Sequence, residues 1–460
     1  MTASPPPPVA DERPRVVVVG SGWRFLSGIS YYTCRLSNAL ASADYQVGTI
    51  LMRQLLPTRL YPGRGRVGRQ LSELSYDPSV QVFDGVDWWG VPSLIRAVRF
   101  LRSFRPSVIV FQWWTGTVLH SYLVLCLVAR LAGIKVVVEF HEVQDTGEAQ
   151  HRWAAVYCRK LIKPLLRRTD GVVVHSRFDR VALRATYDLG DVPDEVVLHG
   201  PFDHHEHPPA HSGSAPHPGL AAHSGTAPRP GPATHSGTAA RGGSAPRPRS
   251  AGEPCRLLFF GTIRPYKGLE DLVEAFGRLP SHYTLTVVGE TWEGWTLPAS
   301  LIAESPARDR ITFVNRYVAD SEVDGFFAAA DVVVLPYRRS SASGPLHIAM
   351  SHGLPVVVTA VGGLVEAAEK YSGTTFVSAG SVPALAEAIT HASENVGRRH
   401  TDPSSWKESV AAFSRLFARI GLTSALPSGA GPSHAERAAQ DAEITASSNQ
   451  TVPLLSPDLR

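Results

Sequence analysis

Cysteine is scarce in this chain: Cys34, Cys126, Cys158 and Cys255 are scattered, with no CxxC or other ligand spacing. Thiols set singly inside apolar runs read as buried and reduced, which fits the cytosol. Long apolar runs are missing too. The longest, Val118 to Ala129, is broken by Arg130 after about a dozen residues, whereas a bilayer span needs roughly 20, so it reads as a core helix. Residues 1–14 are Pro-rich and polar without the apolar stretch of a secretory signal. A cytoplasmic protein is expected, peripheral at most on the cytoplasmic membrane face. Neither sign of charge is in large excess. Lys plus Arg number 45 against 41 for Asp plus Glu, a net +4, which argues against a general polyanion binder. With no basic, aromatic-interleaved sheet motif either, nucleic acid is not an expected partner.

What is present is a repeated alternation. Short Val/Ile-rich runs ending in Gly or a polar residue alternate with helical segments, the pattern of a parallel sheet covered on both faces. In the first half the runs are 15–19, 47–51, 80–83, 108–112, 136–140, 171–175 and 196–198. In the second they are 256–260, 285–288, 311–314, 332–335, 355–359 and 375–377. The fold class is therefore α/β, with two Rossmann-like doubly wound domains at 15–203 and 254–400 and a cleft between them. Between these lies 204–253, in which Leu220 is the only large aliphatic residue and a twelve-residue unit recurs from His211, His223 and His235. Such a segment cannot bury enough apolar surface to offset ordering, and it reads as a disordered Pro/Gly/His-rich linker. One His per twelve residues makes it a poor chelator. Residues 1–14 and 421–460 read as disordered, and 401–420 as a C-terminal helix.

Chemistry concentrates where predicted strands end. GSGWRFLSGIS follows the first strand, and Gly20, Gly22 and Gly28 let a loop run close to a ligand before a helix begins. The run 256–260 leads into GTIRPYKG, placing Arg264 and Lys267 at the mouth of a parallel strand, where ligands of open α/β sheets collect. Two cations there suit a diphosphate; a solvated turn of surface charges is the alternative. After 332–335, the loop Ser340 to Gly344 precedes Pro345 at a helix start, whose backbone N–H groups would meet an anion. Glu366 follows a Gly-Gly turn, positioned to accept ribose hydroxyls or simply to complement a helix N-terminus. His141 and Glu142 come directly after a central strand, at the edge facing the cleft.

Together these segments resemble the retaining glycosyltransferase family 4, the group 1 transferases of GT-B fold, from about Arg15 to Gly200 and Cys255 to His391. The most specific pieces are LLFFGTIRPYKGLEDLVEAF, FVNRYVADSEVDGFFAAADVVVLPY and SGPLHIAMSHGLPVVVTAVGGLVEA, with HGPFD at the usual end of the first domain. The resemblance implies a glycosyltransferase that moves a sugar, with retention, from a nucleotide-sugar donor to a glycan, lipid-linked or small-molecule acceptor. It implies that His141 contacts the transferred sugar, and that Gly28, Arg264 and Lys267 lie at the donor phosphates. No cofactor or metal is expected, because fixed cations replace the divalent ion. The sequence departs from the family twice. Thr262 stands where Arg usually follows the motif's first Gly, and the usual acidic pair falls on Ser340 and Ile348. As in a subset of related sequences, an SG loop stands there instead, so Ser343 and Gly344 are expected to contact phosphate or sugar, with Glu366 keeping a donor role.

The acceptor is expected on the first domain. Arg96, Arg99, Arg102 and Arg105 recur every third residue beside Leu94, Ile95, Val98 and Leu101, a basic amphipathic helix that suits an anionic membrane or, equally, a solvated flank. Trp113 and Trp114 end a strand, to stack on a sugar or to be buried. A catalytically silent nucleotide-sugar-binding relative and a GT-B epimerase or phosphorylase are the competing readings.

Overall fold

A computed structural model describes residues 13–22, 28–54, 75–87, 90–143, 160–202, 253–291 and 295–422. The expected disordered segments lie almost wholly outside these residues, as do Cys158, Asp203 and Arg59, Arg64, Arg66 and Arg69.

Two all-parallel sheets form. The first contains β1 (Arg15–Ser21), β2 (Gln46–Gln54), β3 (Gln81–Asp87), β4 (Val108–Trp113), β5 (Lys135–Phe140), β6 (Gly171–Val174) and β7 (Asp194–Val196), ordered β3-β2-β1-β4-β5-β6-β7. The second contains β8 (Cys255–Phe260), β9 (Tyr283–Val288), β10 (Ile311–Val314), β11 (Val332–Leu335), β12 (Val356–Thr359) and β13 (Thr374–Val377), ordered β10-β9-β8-β11-β12-β13. Every predicted run overlaps a strand, and the central ones are clearest because strands buried on both faces must be apolar throughout. Val16 to Val19 and Val332 to Leu335 are fully buried. Two runs depart: β3 continues to Asp87, beyond the expected Phe83, and β7 ends at Val196 and not at Leu198, which is 39% exposed.

In each sheet the order reverses beside the first strand, and at such a switch point the loops part to leave a crevice at the carboxyl ends. The helices packed around the sheets include α1 (Gly28–Ser42), α2 (Val91–Phe104), α3 (Leu119–Leu131), α4 (Arg177–Thr186), α5 (Leu269–Gly277), α6 (Gly344–Ser351), α7 (Leu364–Ala368) and α8 (Trp406–Arg419). The run Val118 to Ala129 is indeed helical, and no helix among the described residues is long and apolar enough to cross a membrane. Cys34, Cys126 and Cys255 are buried.

The chain then returns. Helix α8 packs Val410, Phe413, Leu416 and Phe417 onto the face of the first sheet made by Val16, Val18, Val108, Val110, Val137 and Val173. Arg415 and Arg419 pair with Glu195 at 2.9 and 3.0 Å, and Trp406 Nε1 donates to Pro201 O. A Cβ on Gly200 would lie 2.3 Å from the Trp406 ring, so glycine there is what lets the indole seat. The second half is thereby anchored across the base of the first.

Candidate active site

The second half builds a cationic corner around one tyrosine. Beyond β8 the chain passes Gly261 at φ +110 and makes a single 3-10 turn, Pro265–Lys267, that ends on Gly268 at φ +65. A Cβ on Gly268 would sit 2.1 Å from the Pro336 carbonyl, so the turn closes only with glycine. It drives Lys267 inward to 8% exposure, with Nζ 4.9 Å from the Tyr337 ring centre. Desolvation lowers the Lys267 pKa below the ordinary 10.5, and among the described residues this lysine makes no ion pair. The Tyr337 hydroxyl in turn accepts from Ser343 Oγ at 3.4 Å.

Ser343 is the N-cap of α6, its Oγ accepting from Leu346 N, with Gly344 and Pro345 opening the helix. A Cβ built on Gly261 would lie 3.0 Å from Lys267 Nζ and 3.2 Å from Pro345 Cγ. Lys267 and the positive end of α6 thus converge on bare backbone, an arrangement that favours an anion. Arg264 is half-buried on the same turn. Arg338 is engaged elsewhere, donating to Asp271 at 2.8 Å to tie β11 to α5.

The first half faces this corner through Glu142, whose charge acts on both Tyr266 and Lys267. His141, one residue earlier, is 4% exposed. Its Nδ1 lies 3.1 Å from His175 Nε2 and its Nε2 is 3.9 Å from Glu139 Oε2. Glu139 is fully buried, accepts from Tyr32 OH at 2.6 Å and Gln112 Nε2 at 3.1 Å, and is pushed up to about 7 by burial. Gly28 opens α1 with no atom within 4 Å of a built Cβ, and residues 23–27 of its loop lie outside the described residues. Ser30 Oγ donates to Ser21 Oγ and Gly22 O, closing the base of that loop. Trp113 is buried at 2% exposure.

Glu366 does something the sequence does not reveal. Its carboxylate accepts the backbone N–H groups of Arg177 and Phe178 at 2.8 and 2.9 Å, so a residue of the second half caps helix α4 of the first. At the family's two acidic positions, Ser340 Oγ donates to Ala342 O within its own loop, and Ile348 is buried in the core. Between the halves lies a cavity of about 150 Å³ whose lining includes His175, His199, Ser341, His347, Glu366 and Arg415. Neither His141 nor Lys267 lines it.

Sequence reading missed the partners of His141. The strands β5, β6 and β7 are adjacent, and His141, His175 and His199 follow them in turn, so the three rings meet at one edge of the sheet. The available signal was the recurrence of histidine just past three valine-rich strands.

Residues 27–199 match the family model described as a glycosyl transferase 4-like domain, and 254–395 match that of the glycosyl transferases group 1. A GDP-mannose:glycolipid 4-beta-D-mannosyltransferase of Xanthomonas campestris pv. campestris is 35% identical over 106 residues, 23% of this chain and 30% of that protein. The match thus spans about a third of that relative's length. Sucrose-phosphate synthase from Thermosynechococcus elongatus has the same fold, with a TM-score of 0.57 at 15% identity over 96% of this chain and all of that one. So does Anabaena HepE, solved with UDP and glucose, with a TM-score of 0.54 at 13% identity over 95% and 100%. Matched in both halves and built on two all-parallel sheets, this chain belongs to the GT-B glycosyltransferases.

Proposed function

We propose that the protein transfers a sugar from a nucleotide-sugar donor to a glycan or lipid-linked acceptor. One observation carries this reading: a buried lysine that makes no ion pair among the described residues, beside a helix N-terminus, both close to the half-buried backbone of Gly261. Burying an ammonium is costly unless an anion compensates it. A pyrophosphate bound there by Lys267, Arg264 and the amides at Ser343 and Gly344 would be stabilised most strongly as it departs, when its negative charge grows. His141 forms the floor beneath the sugar, next to Glu142. Glu366 takes the ribose hydroxyls by exchanging them for the two amides it holds here. The named mannosyltransferase and the UDP-bound HepE support a nucleotide-sugar donor by similarity. Retention is the outcome that resemblance to family 4 implies, and the anomeric proton coupling of the product reads it.

The acceptor side is proposed to rest on anionic lipid. Helices α2 and α3 pack side by side, and each exposes apolar residues: Val91 and Ile95 on α2, and Val124, Leu127 and Leu131 on α3. Ile95 turns outward, 47% exposed, instead of joining the core with Leu101. Exposed Arg96, Arg99, Arg102, Arg105 and Arg130 surround them, which is the composition of a surface that sinks apolar side chains among anionic head groups. Thermal shift tests the donor assignment: UDP or GDP should raise the melting temperature by mass action. No shift with any nucleoside diphosphate would remove it. The silent-binder reading is favoured by Ser340 and Ile348 and predicts binding without turnover.

A further inference from the structure

The histidine seam is a second polar centre, separate from the cationic corner. His141, His175 and His199 are buried, at 4%, 4% and 9% exposure, and His347 of α6 faces them across the domain boundary at 3%. Burial lowers all four pKa values, so the rings are neutral and each carries a lone pair. Their polar atoms are poorly satisfied. Among the described residues, His141 Nε2, both nitrogens of His199 and His347 Nδ1 lie buried without a hydrogen-bond partner. Each such orphan costs about 1–3 kcal/mol in a protein interior, and a bound ion would relieve one nitrogen of His199 directly.

The geometry points to a binding site for a first-row divalent cation, Zn²⁺ by class, ligated by His141 Nδ1, His175 Nε2 and one nitrogen of His199. The ligand atoms of the three residues lie within 4.8 Å of one another. Nitrogens at zinc distances of 2.0–2.1 Å about a tetrahedral ion stand roughly 3.4 Å apart, with ring centres roughly 5 Å apart. Here His141 Nδ1 and His175 Nε2 are a hydrogen-bonded pair 3.1 Å apart, a bond the ion would replace by displacing the shared proton, and the three ring-centre separations are 4.6, 4.2 and 6.0 Å. The supporting contacts also have the right sense. His175 gives its Nδ1–H to Val197 O at 2.8 Å, which fixes the tautomer with Nε2 bare. With Nδ1 as the ligand of His141, its Nε2–H is left 3.9 Å from the Glu139 carboxylate, so a small ring movement is needed to make that hydrogen bond. A backbone carbonyl and a carboxylate are the usual partners that orient metal-bound histidines. Imidazole ligands suit Zn, Cu, Ni and Fe, and exclude the oxygen-seeking Mg²⁺ and Ca²⁺.

A fourth position would face the cavity that His175, His199 and His347 line. The site shares His141 with the donor reading but none of Lys267, Arg264, Ser343 and Gly344 at the cationic corner.

The full chain, expressed without a polyhistidine tag, is stripped with chelator and titrated with Co²⁺, whose visible d–d bands report tetrahedral nitrogen ligation; Zn²⁺ should bleach them. One equivalent per chain is expected, and the band should vanish in His199→Asn, a change that breaks no hydrogen bond made among the described residues. The seven histidines of 204–235 are the competing ligands. A variant carrying asparagine at all seven should keep the band, and it decides the matter even if His199→Asn fails to fold. Absence of a band in the wild type, or its loss in the seven-fold variant with survival in His199→Asn, would overturn the proposal. Nucleoside diphosphate binding, measured on the same samples, fails or succeeds separately.

Discussion

Replacing Lys267 with methionine keeps most of the buried stem and deletes the charge. At an effective dielectric near 20, a unit charge about 4 Å from another interacts by roughly 4 kcal/mol. Desolvation of the bound anion offsets part of that, leaving about 2–3 kcal/mol, or roughly 30- to 150-fold in nucleoside diphosphate Kd. Stability should move the other way. The ammonium is buried over Tyr337 with a lowered pKa, so the folded state holds this proton less tightly than the unfolded chain. Its contribution to stability therefore rises with pH from the folded pKa up to the ordinary 10.5. Methionine should abolish that rise and leave the melting temperature at neutral pH unchanged or higher. Donor affinity in the wild type should fall over the same alkaline window. Titration calorimetry with UDP and GDP, paired with melts across pH, tests all of this. Affinity within twofold of wild type in Lys267→Met would refute the electrostatic reasoning.

Gly268→Ala should cost about 1–3 kcal/mol in a denaturant melt and weaken nucleotide binding together with stability, since the left-handed turn and the Pro336 carbonyl both reject a Cβ. Wild-type stability would show that the turn is adaptable. Glu366→Gln should loosen the cap on α4 by about 1 kcal/mol, read as faster proteolysis between the halves; unchanged proteolysis would mean the cap does not hold them. Arg96, Arg99 and Arg102 changed together to glutamate should abolish sedimentation with vesicles rich in phosphatidylserine but spare donor binding, whereas undiminished sedimentation would discard the membrane face.

The sheets were legible because burial on both faces forces strands such as Val332–Leu335 to be apolar throughout, a local signal that needs no tertiary knowledge. The Lys267 turn was legible for a similar reason, its glycine and cations being contiguous. What could not be read depends on contacts across long stretches of sequence. Glu366 meets α4 from 189 residues away, and nothing in VGGLVEA names that partner. His141, His175 and His199 become neighbours only once the order β5-β6-β7 is fixed. Ile95 fits the apolar face of α2 by spacing, yet the helix rotates it outward and buries Ala97 and Leu101.

The measurement closest to the central assignment is release of labelled sugar from a panel of radiolabelled nucleotide-sugars, with and without membrane lipid extract as acceptor. Transfer, or slow hydrolysis, from one donor class is expected in the wild type, with loss in Lys267→Met. Tight nucleotide binding with no release from any donor would contradict it and leave a protein that grips nucleotide-sugars without breaking them.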